Sequence, residues 1–190
     1  FTGAPKGRKM YGPPVDFSFK CLSSLADVLS EHPNVGLKPV HRTPEGKFCS
    51  KALRLSNNIL SNLSDFATAS TALLDDPKQL SWIDLSFNDL STIDPILTEF
   101  RELRVLYLHG NSISRLSEVD KLAALPHLQS LTLHGNTLEN EKDYRNYVIS
   151  ALPHLKSLDF SAVTKQDRVT AQIWRRGSSR PKRSRKTPNE

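Results

Sequence analysis

The chain has 190 residues, enough for one domain and too few for two full-sized domains with a linker. Its formal net charge is +6, but basic residues crowd both ends and leave the body from Tyr11 to Trp174 mildly acidic. No stretch approaches the roughly 20 consecutive apolar residues of a membrane-spanning helix, and two cysteines exclude a disulfide scaffold or a cysteine zinc site.

The N-terminal region predicts an extended arm and a short helix. We assign residues 1–20 to the arm, because its first part is rich in Gly, Pro and Lys. The helix follows, with apolar side chains on one face, namely Leu22, Leu25, Val28 and Leu29. We expect this helix to cover the N-terminal end of the repeats that come next.

The middle of the chain repeats the pattern LxxLxLxxNxL, where x is any residue. Copies begin at Leu80, Leu103 and Leu128, and an earlier copy around Leu53 has Ser50 in place of its first leucine. The alternating leucines have the period of a β-strand, so both point into the core and the stacked strands form one parallel sheet. This is the leucine-rich-repeat pattern.

Every copy carries an asparagine where the chain turns off its strand. We expect the side-chain amide to bond with backbone groups that the turn leaves unpaired. The asparagines are Asn58, Asn88, Asn111 and Asn136. Apolar residues later in the copies close the outer side of the coils, and they are Leu63, Phe66, Ile93, Leu97, Leu116 and Leu122.

The residues after the last repeat predict a C-terminal cap. The segment 144–159 resembles the cap of cytoplasmic leucine-rich-repeat proteins, with a Tyr-Arg pair, an apolar helix and a Leu-Pro-x-Leu-x-x-Leu-Asp run. We expect its strand to extend from Leu155 to Phe160.

A final helix is predicted beyond the cap strand. Thr164 and Asp167 have the spacing of a capping box, in which each side chain bonds the other's backbone amide. The helix should continue to about Arg176, with Ile173 and Trp174 docking it on the repeats.

These patterns together predict an α/β leucine-rich-repeat solenoid of about four to five repeats. It has a parallel concave sheet, a helical N-terminal cap and a C-terminal leucine-rich-repeat cap. The repeat domain covers residues 21–176, and residues 177–190 form a basic tail. Within the domain the repeats lie near 50–72, 80–100, 103–125 and 128–150, followed by the cap at 151–176.

Residues that alternate with the core leucines should face solvent on the concave side. Trp82 and Tyr107 then stand on adjacent strands beside a carboxylate and two histidines, a composition typical of a binding hot spot. The alternative is that Trp82 packs on a flanking loop or on the N-terminal arm. The candidate protein-binding residues are Trp82, Asp84, Tyr107, His109, Thr132 and His134.

His109 and His134 share a His-Gly-Asn context one repeat apart, so their rings should be close. Two histidines without a third ligand make a poor metal site, and we expect no metal and no cofactor. The chain also lacks a Gly-rich phosphate loop and the GxSxG and HExxH motifs. We therefore predict a non-enzymatic protein with no small-molecule substrate.

The basic tail has several possible roles. It could direct nuclear import, contact nucleic acid, lie on an acidic protein surface such as tubulin, or remain solvated. No aromatic residue follows Trp174, which argues against binding of single-stranded nucleic acid. Its charged residues are Arg180, Lys182, Arg183, Arg185 and Lys186.

Five runs of the sequence together resemble the family of leucine-rich repeat-containing protein 51. They are Trp82 to Leu90, Val105 to Ile113, Ser130 to Asn136, and residues 14–19 and 160–168. The resemblance covers about residues 13–176. It implies a small cytoplasmic protein of ciliated lineages without catalytic activity. It also implies kinship with cap-bearing repeat proteins that serve as adaptors on axonemes and dyneins.

We therefore expect an adaptor of the ciliary or flagellar axoneme in the cytoskeleton, bound to tubulin or axonemal proteins in a large assembly. Its contacts would be the concave face and the basic termini, with no membrane and no main role for nucleic acid. One alternative is a nuclear ribonucleoprotein-associated repeat protein whose basic tail contacts RNA. Another is a phosphatase-regulating repeat protein, a class that usually has more repeats.

Overall fold

A computed structural model describes residues 12–179, which build a seven-stranded sheet whose strands follow one another in chain order. All neighbouring strands are parallel except the last pair, which is antiparallel. The predicted solenoid with its parallel sheet is confirmed. The strands are β1 (Val15–Asp16), β2 (Ala52–Arg54), β3 (Trp82–Asp84), β4 (Val105–Tyr107), β5 (Ser130–Thr132), β6 (Ser157–Leu158) and β7 (Ser161–Ala162).

Helical segments return the chain along the outer side of the sheet, and the core lies between the two layers. Three are α-helices: α1 (Phe66–Leu73), α2 (Tyr144–Ala151) and α3 (Lys165–Ser178). The others are 3₁₀ segments at Leu25–Leu29, Pro77–Gln79, Pro95–Glu99, Leu116–Ala124 and Thr137–Asn140. The residues predicted to close the coils are buried, apart from Leu116, which is only partly covered.

The side chains of the four repeat asparagines form hydrogen bonds that join each coil to the coil before it. This confirms the prediction that they pair with backbone groups at the turns. The Asn88 amide nitrogen donates to the carbonyls of Leu85 in its own coil and Leu55 in the preceding one, at 3.1 and 3.0 Å. The Asn88 carbonyl oxygen accepts from the Leu60 amide at 3.1 Å. Asn58, Asn111 and Asn136 make the corresponding bonds, and all four side chains are buried.

The second half of the predicted N-terminal arm belongs to the sheet and is not a free tether. β1 pairs with β2, with Val15 opposite Leu53, and Phe17 donates its amide to the Arg54 carbonyl at 2.8 Å. Val15 and Phe17 are fully buried, so the segment gains more by closing the first coil than by extending into solvent. The helix that follows is a 3₁₀ turn with a capping box between Ser24 and Asp27.

The C-terminal cap differs from the prediction in its strand and in its docking residue. The strand ends at Leu158, because the chain reverses into β7 instead of continuing to Phe160. The capping box of Thr164 is confirmed. Ile173 was expected to dock the final helix, but it is 64% exposed because it lies on the outer face of α3.

The buried residue of α3 is instead Ala171, which is 1% exposed, and Arg168 donates to the Ile149 and Leu152 carbonyls of the cap. Trp174 does contact the cap, since its ring centroid lies 6.0 Å from that of Tyr147. The charged residues of the basic tail and residues 1–11 of the arm lie outside the described residues.

Replacing Asn88 with alanine tests the stitching bonds. The change leaves the buried Leu60 amide unpaired, and it removes one of the two asparagine donors at each of the Leu55 and Leu85 carbonyls. An unpaired buried group costs about 1–3 kcal/mol, and each lost hydrogen bond adds to that cost. We expect the free energy of unfolding to fall by about 3 kcal/mol in urea titration. Asn140→Ala, at an exposed site, is the matched control and should change it by less than about 0.5 kcal/mol. Equal losses in the two variants would contradict the account.

Candidate protein-binding face

Six rings cluster on the concave face, and we call them the aromatic patch: Trp82, Phe87, Tyr107, His109, His134 and Phe160. The contact between Trp82 and Tyr107 follows from the strand register. Trp82 lies opposite Val105 and Asp84 lies opposite Tyr107, so the two rings are on neighbouring strands, two residues apart in register. The Trp82 and Tyr107 rings meet edge to face with centroids 5.6 Å apart. The Arg54 guanidinium lies over the indole, 5.3 Å from the ring centroid, so Trp82 packs on side chains of both neighbouring strands.

Phe160 joins the middle of the patch although it lies in no predicted site. Its ring centroid is 5.3 Å from that of Tyr107 and 5.8 Å from those of His109 and His134. The side chain remains 62% exposed, so it offers apolar surface to solvent while it contacts three other rings. Such mutual contacts restrict the rotamers and lower the entropic cost of binding a partner.

A turn in left-handed conformation carries Phe160 over the sheet. Both Asp159 and Phe160 have positive φ, at 52° and 62°, a region that L-residues rarely adopt. The Asp159 carboxylate stabilises the turn by accepting from the backbone amides of Leu133 and His134 at 2.6 and 3.0 Å. Its other oxygen accepts from the Tyr144 hydroxyl at 2.7 Å. Burial and this bond to Asp159 raise the pKa of Tyr144.

The two histidines of the patch stack in parallel, with centroids 4.7 Å apart and planes 7° from parallel. Their orientation is fixed from below, because Nδ1 of His109 lies 2.7 Å from the Thr132 hydroxyl and Nδ1 of His134 lies 3.2 Å from Asp159. Burial of the ring lowers the pKa of His109 below its usual value, and the neighbouring His134 lowers this pKa further. Protonation of His109 is therefore disfavoured in the folded protein.

Two of the predicted binding residues are buried in the structure. Thr132 is fully buried, because His109 lies over it and its hydroxyl bonds that ring. Asp84 is 8% exposed, and one of its carboxylate oxygens accepts hydrogen bonds from the amide and the hydroxyl of Ser86, at 3.0 and 2.6 Å. The other carboxylate oxygen of Asp84 lies 3.8 Å from Nε of Arg54, so both residues support the side chains of the face.

Phe87 occupies the position that is glycine in the next two repeats. It has a positive φ of 53°, and its ring lies 5.1 Å from His109, centroid to centroid. A Cβ on Gly110 would lie 2.5 Å from that ring, so glycine there makes room for the phenylalanine. Aligning the repeats could have identified Phe87 as exposed, whereas nothing local in the sequence indicates the turn at Phe160.

The described residues 12–179 were also compared with the requirements of a metal site and of a membrane span. No group of three or more His, Cys, Asp or Glu side chains in this part of the chain could hold a metal ion. None of the described helices is long and apolar enough to cross a membrane.

Comparison with known proteins gives consistent results for sequence and structure. A family model described as leucine-rich repeat matches residues 52–186. Leucine-rich repeat-containing protein 51 of Bos taurus is 56% identical over 173 residues, which cover 91% of this chain and 90% of that protein. The Homo sapiens protein of the same name is 52% identical over 172 residues and 90% of both chains.

Among solved structures, a chain in the crystal structure of the Drosophila melanogaster SNF/U2A' complex is similar at a TM-score of 0.58. It is 23% identical, and the match covers 74% of this chain and 88% of that one. At this identity the likeness shows a shared fold alone.

The lowered pKa of His109 predicts a pH dependence of stability. The unfolded chain has a histidine pKa of about 6.5 and binds a proton more readily than the folded state, so stability should decline as pH falls below about 6.5. The decline should level off below the folded-state pKa. His109→Asn keeps a polar δ atom and should reduce the loss of stability between about pH 7 and pH 5.

The control is His127→Asn, since His127 is exposed. Urea titrations at each pH should give this variant the wild-type profile. Wild-type and His109→Asn curves that remain parallel across the range would show that His109 does not carry the effect.

Proposed function

Because the chain belongs to the leucine-rich-repeat family, and within it to the family of leucine-rich repeat-containing protein 51, we propose that it is a non-enzymatic adaptor of the ciliary or flagellar axoneme. It binds doublet-microtubule or associated proteins through the concave face and the basic termini. Its location is the cytoplasm, in the cytoskeleton of the cilium. It needs no cofactor or small-molecule substrate for this role.

The aromatic patch is the observation that carries the protein-binding role. Trp82 and Tyr107 lie on strands of the sheet, and the other four rings lie on the turns that follow strands. The rings support one another by edge-to-face and stacked contacts. Phe87 and Phe160 are 53% and 62% exposed, which is unusual for large apolar residues without a partner. Aromatic residues in a fixed arrangement are the commonest hot spots of protein interfaces.

The axonemal setting rests on the family resemblance and on charge. The basic residues beyond Arg175 suit an acidic protein surface, while the body of the chain is mildly acidic. The same basic residues favour the alternative, a nuclear ribonucleoprotein particle in which the tail contacts RNA. That alternative predicts nuclear localisation that depends on Lys182 to Lys186.

Co-sedimentation with purified axonemal doublets tests the patch. We expect the full chain to pellet with doublets, and Trp82→Ala/Tyr107→Ala and Phe160→Ala each to weaken binding about tenfold or more. Val169→Ala/Ile173→Ala is the matched control, because it removes exposed apolar groups from α3 and leaves the patch intact. Circular dichroism and Tm show whether each variant folds.

The tail is tested in the same assay by a chain that ends at Ser179, over a salt series and with structured RNA as competitor. Charge contacts weaken with salt, so loss of the tail should reduce both affinity and salt dependence. Retention on RNA without pelleting would contradict the axonemal role and support the ribonucleoprotein particle. Pelleting that is unaffected by the patch variants would contradict the assignment of the concave face.

A further inference from the structure

The segment from Asn34 to Arg42 arches away from the edge of the sheet and is anchored at both ends. At one end the Asn34 amide donates to the Asp16 carbonyl of β1 at 2.7 Å, and its side chain donates to the Ser18 carbonyl at 2.9 Å. At the other end Cys49 donates to the His41 carbonyl at 2.8 Å. Positions 35–40 make no backbone hydrogen bond to another described residue.

A groove of about 770 Å³ lies between this arch and β1. Its floor and walls include Pro14, Val15 and Phe48, and the arch contributes Val35 and Leu37. These last two side chains are essentially fully exposed, at 98% and 107% of their reference areas. Two aliphatic residues separated by one glycine and held in solvent at the mouth of a preformed groove are expected where a partner covers them.

The groove also offers backbone hydrogen bonds to an extended segment. In the parallel pairing of β1, Phe17 directs its amide to β2, so the alternate residue Asp16 directs its backbone groups outward. The Asp16 carbonyl is taken by Asn34, while its amide has no partner among the described residues. A strand laid along this edge could accept from that amide, as in β-strand addition.

The charges of the side chains that line the groove favour an acidic occupant. Three basic side chains line the groove, Lys38, Arg42 and Arg54, against the single carboxylate of Asp16. The Asp16 carboxylate accepts from the Ser18 hydroxyl at 2.7 Å, and Arg54 pairs with Asp16 at 3.4 Å and with Asp84 at 3.8 Å. Lys38 and Arg42 therefore supply the positive charge that no described carboxylate pairs with. Residues 1–11 contain three basic residues and no acid, which makes the chain's own N-terminus a poor match.

We propose that this groove binds an extended acidic segment of a partner protein. The aliphatic side chains of the segment pack on Val35 and Leu37, and its carboxylates lie near Lys38 and Arg42. The groove is a second docking surface, separate from the aromatic patch and independent of the axonemal assignment. Arg54 joins the two, because it lines the groove and also stacks on Trp82. One partner could therefore continue from the groove onto the concave face.

Selection from a random twelve-residue peptide library against the full chain tests this site. Enriched peptides should combine Asp or Glu with aliphatic residues, and Val35→Ser/Leu37→Ser should weaken their binding at least tenfold. Both residues are exposed, so this variant should keep the wild-type Tm. Val169→Ala/Ile173→Ala is the matched control, because it removes exposed apolar groups from α3, and it should bind the peptides as the wild type does.

Charge reversal supplies the second arm. Lys38→Glu/Arg42→Glu should reject the acidic peptides and enrich basic ones from the same library. The proposal is overturned if no acidic peptides are enriched, if the Val35→Ser/Leu37→Ser variant binds them equally, or if charge reversal does not alter the selection. It is also overturned if single-stranded RNA displaces the peptides at equal concentration, since the groove would then be a nucleic-acid site.

Discussion

One side-chain amide per repeat holds this structure together. A coil of a repeat protein must turn sharply after a strand of only two or three residues, and such a turn leaves buried backbone groups without partners. The buried asparagines replace those partners, and each one bonds carbonyls of its own coil and of the coil before it. Neither neighbouring coil can shift without breaking several bonds in a site that water does not reach.

The concave face depends on this constraint. Fixed coils keep the strands in register, and register puts Trp82 beside Tyr107 and stacks His109 on His134. The last coil has no asparagine of this kind, and the Asp159 carboxylate closes it by bonding the backbone of the preceding strand. The same bonds stabilise the left-handed turn that carries Phe160 onto the patch. The arrangement of the aromatic patch therefore follows from the hydrogen bonds that fix the coils.

The sequence predicts the features that have a local period. Alternating leucines, the turn asparagines and the capping box at Thr164 all appear where expected, since each rests on contacts within one repeat or one helical turn. The exposure of the site residues depends on contacts between coils. Thr132 is buried because a ring from the neighbouring repeat covers it, and no pattern within its own strand indicates that.

The ends were harder to predict for the same reason. Val15 and Asp16 form a strand only because β2 is there to pair with them, and their partners lie 38 residues further along the chain. Phe160 reaches the patch through two consecutive left-handed residues without a glycine to mark the turn. In both cases a distant partner decides the local conformation.

Hydrogen exchange of the asparagine side-chain amides, followed by NMR, tests the central claim most directly. If the asparagines stitch the coils, the amide protons of Asn88 and Asn111 exchange only when the repeats open together, as slowly as the core amides of Leu85 and Leu108. The exposed Asn140 amide should exchange at the rate of a free side chain. Exchange of Asn88 and Asn111 as fast as that of Asn140, with the core amides still protected, would contradict the account.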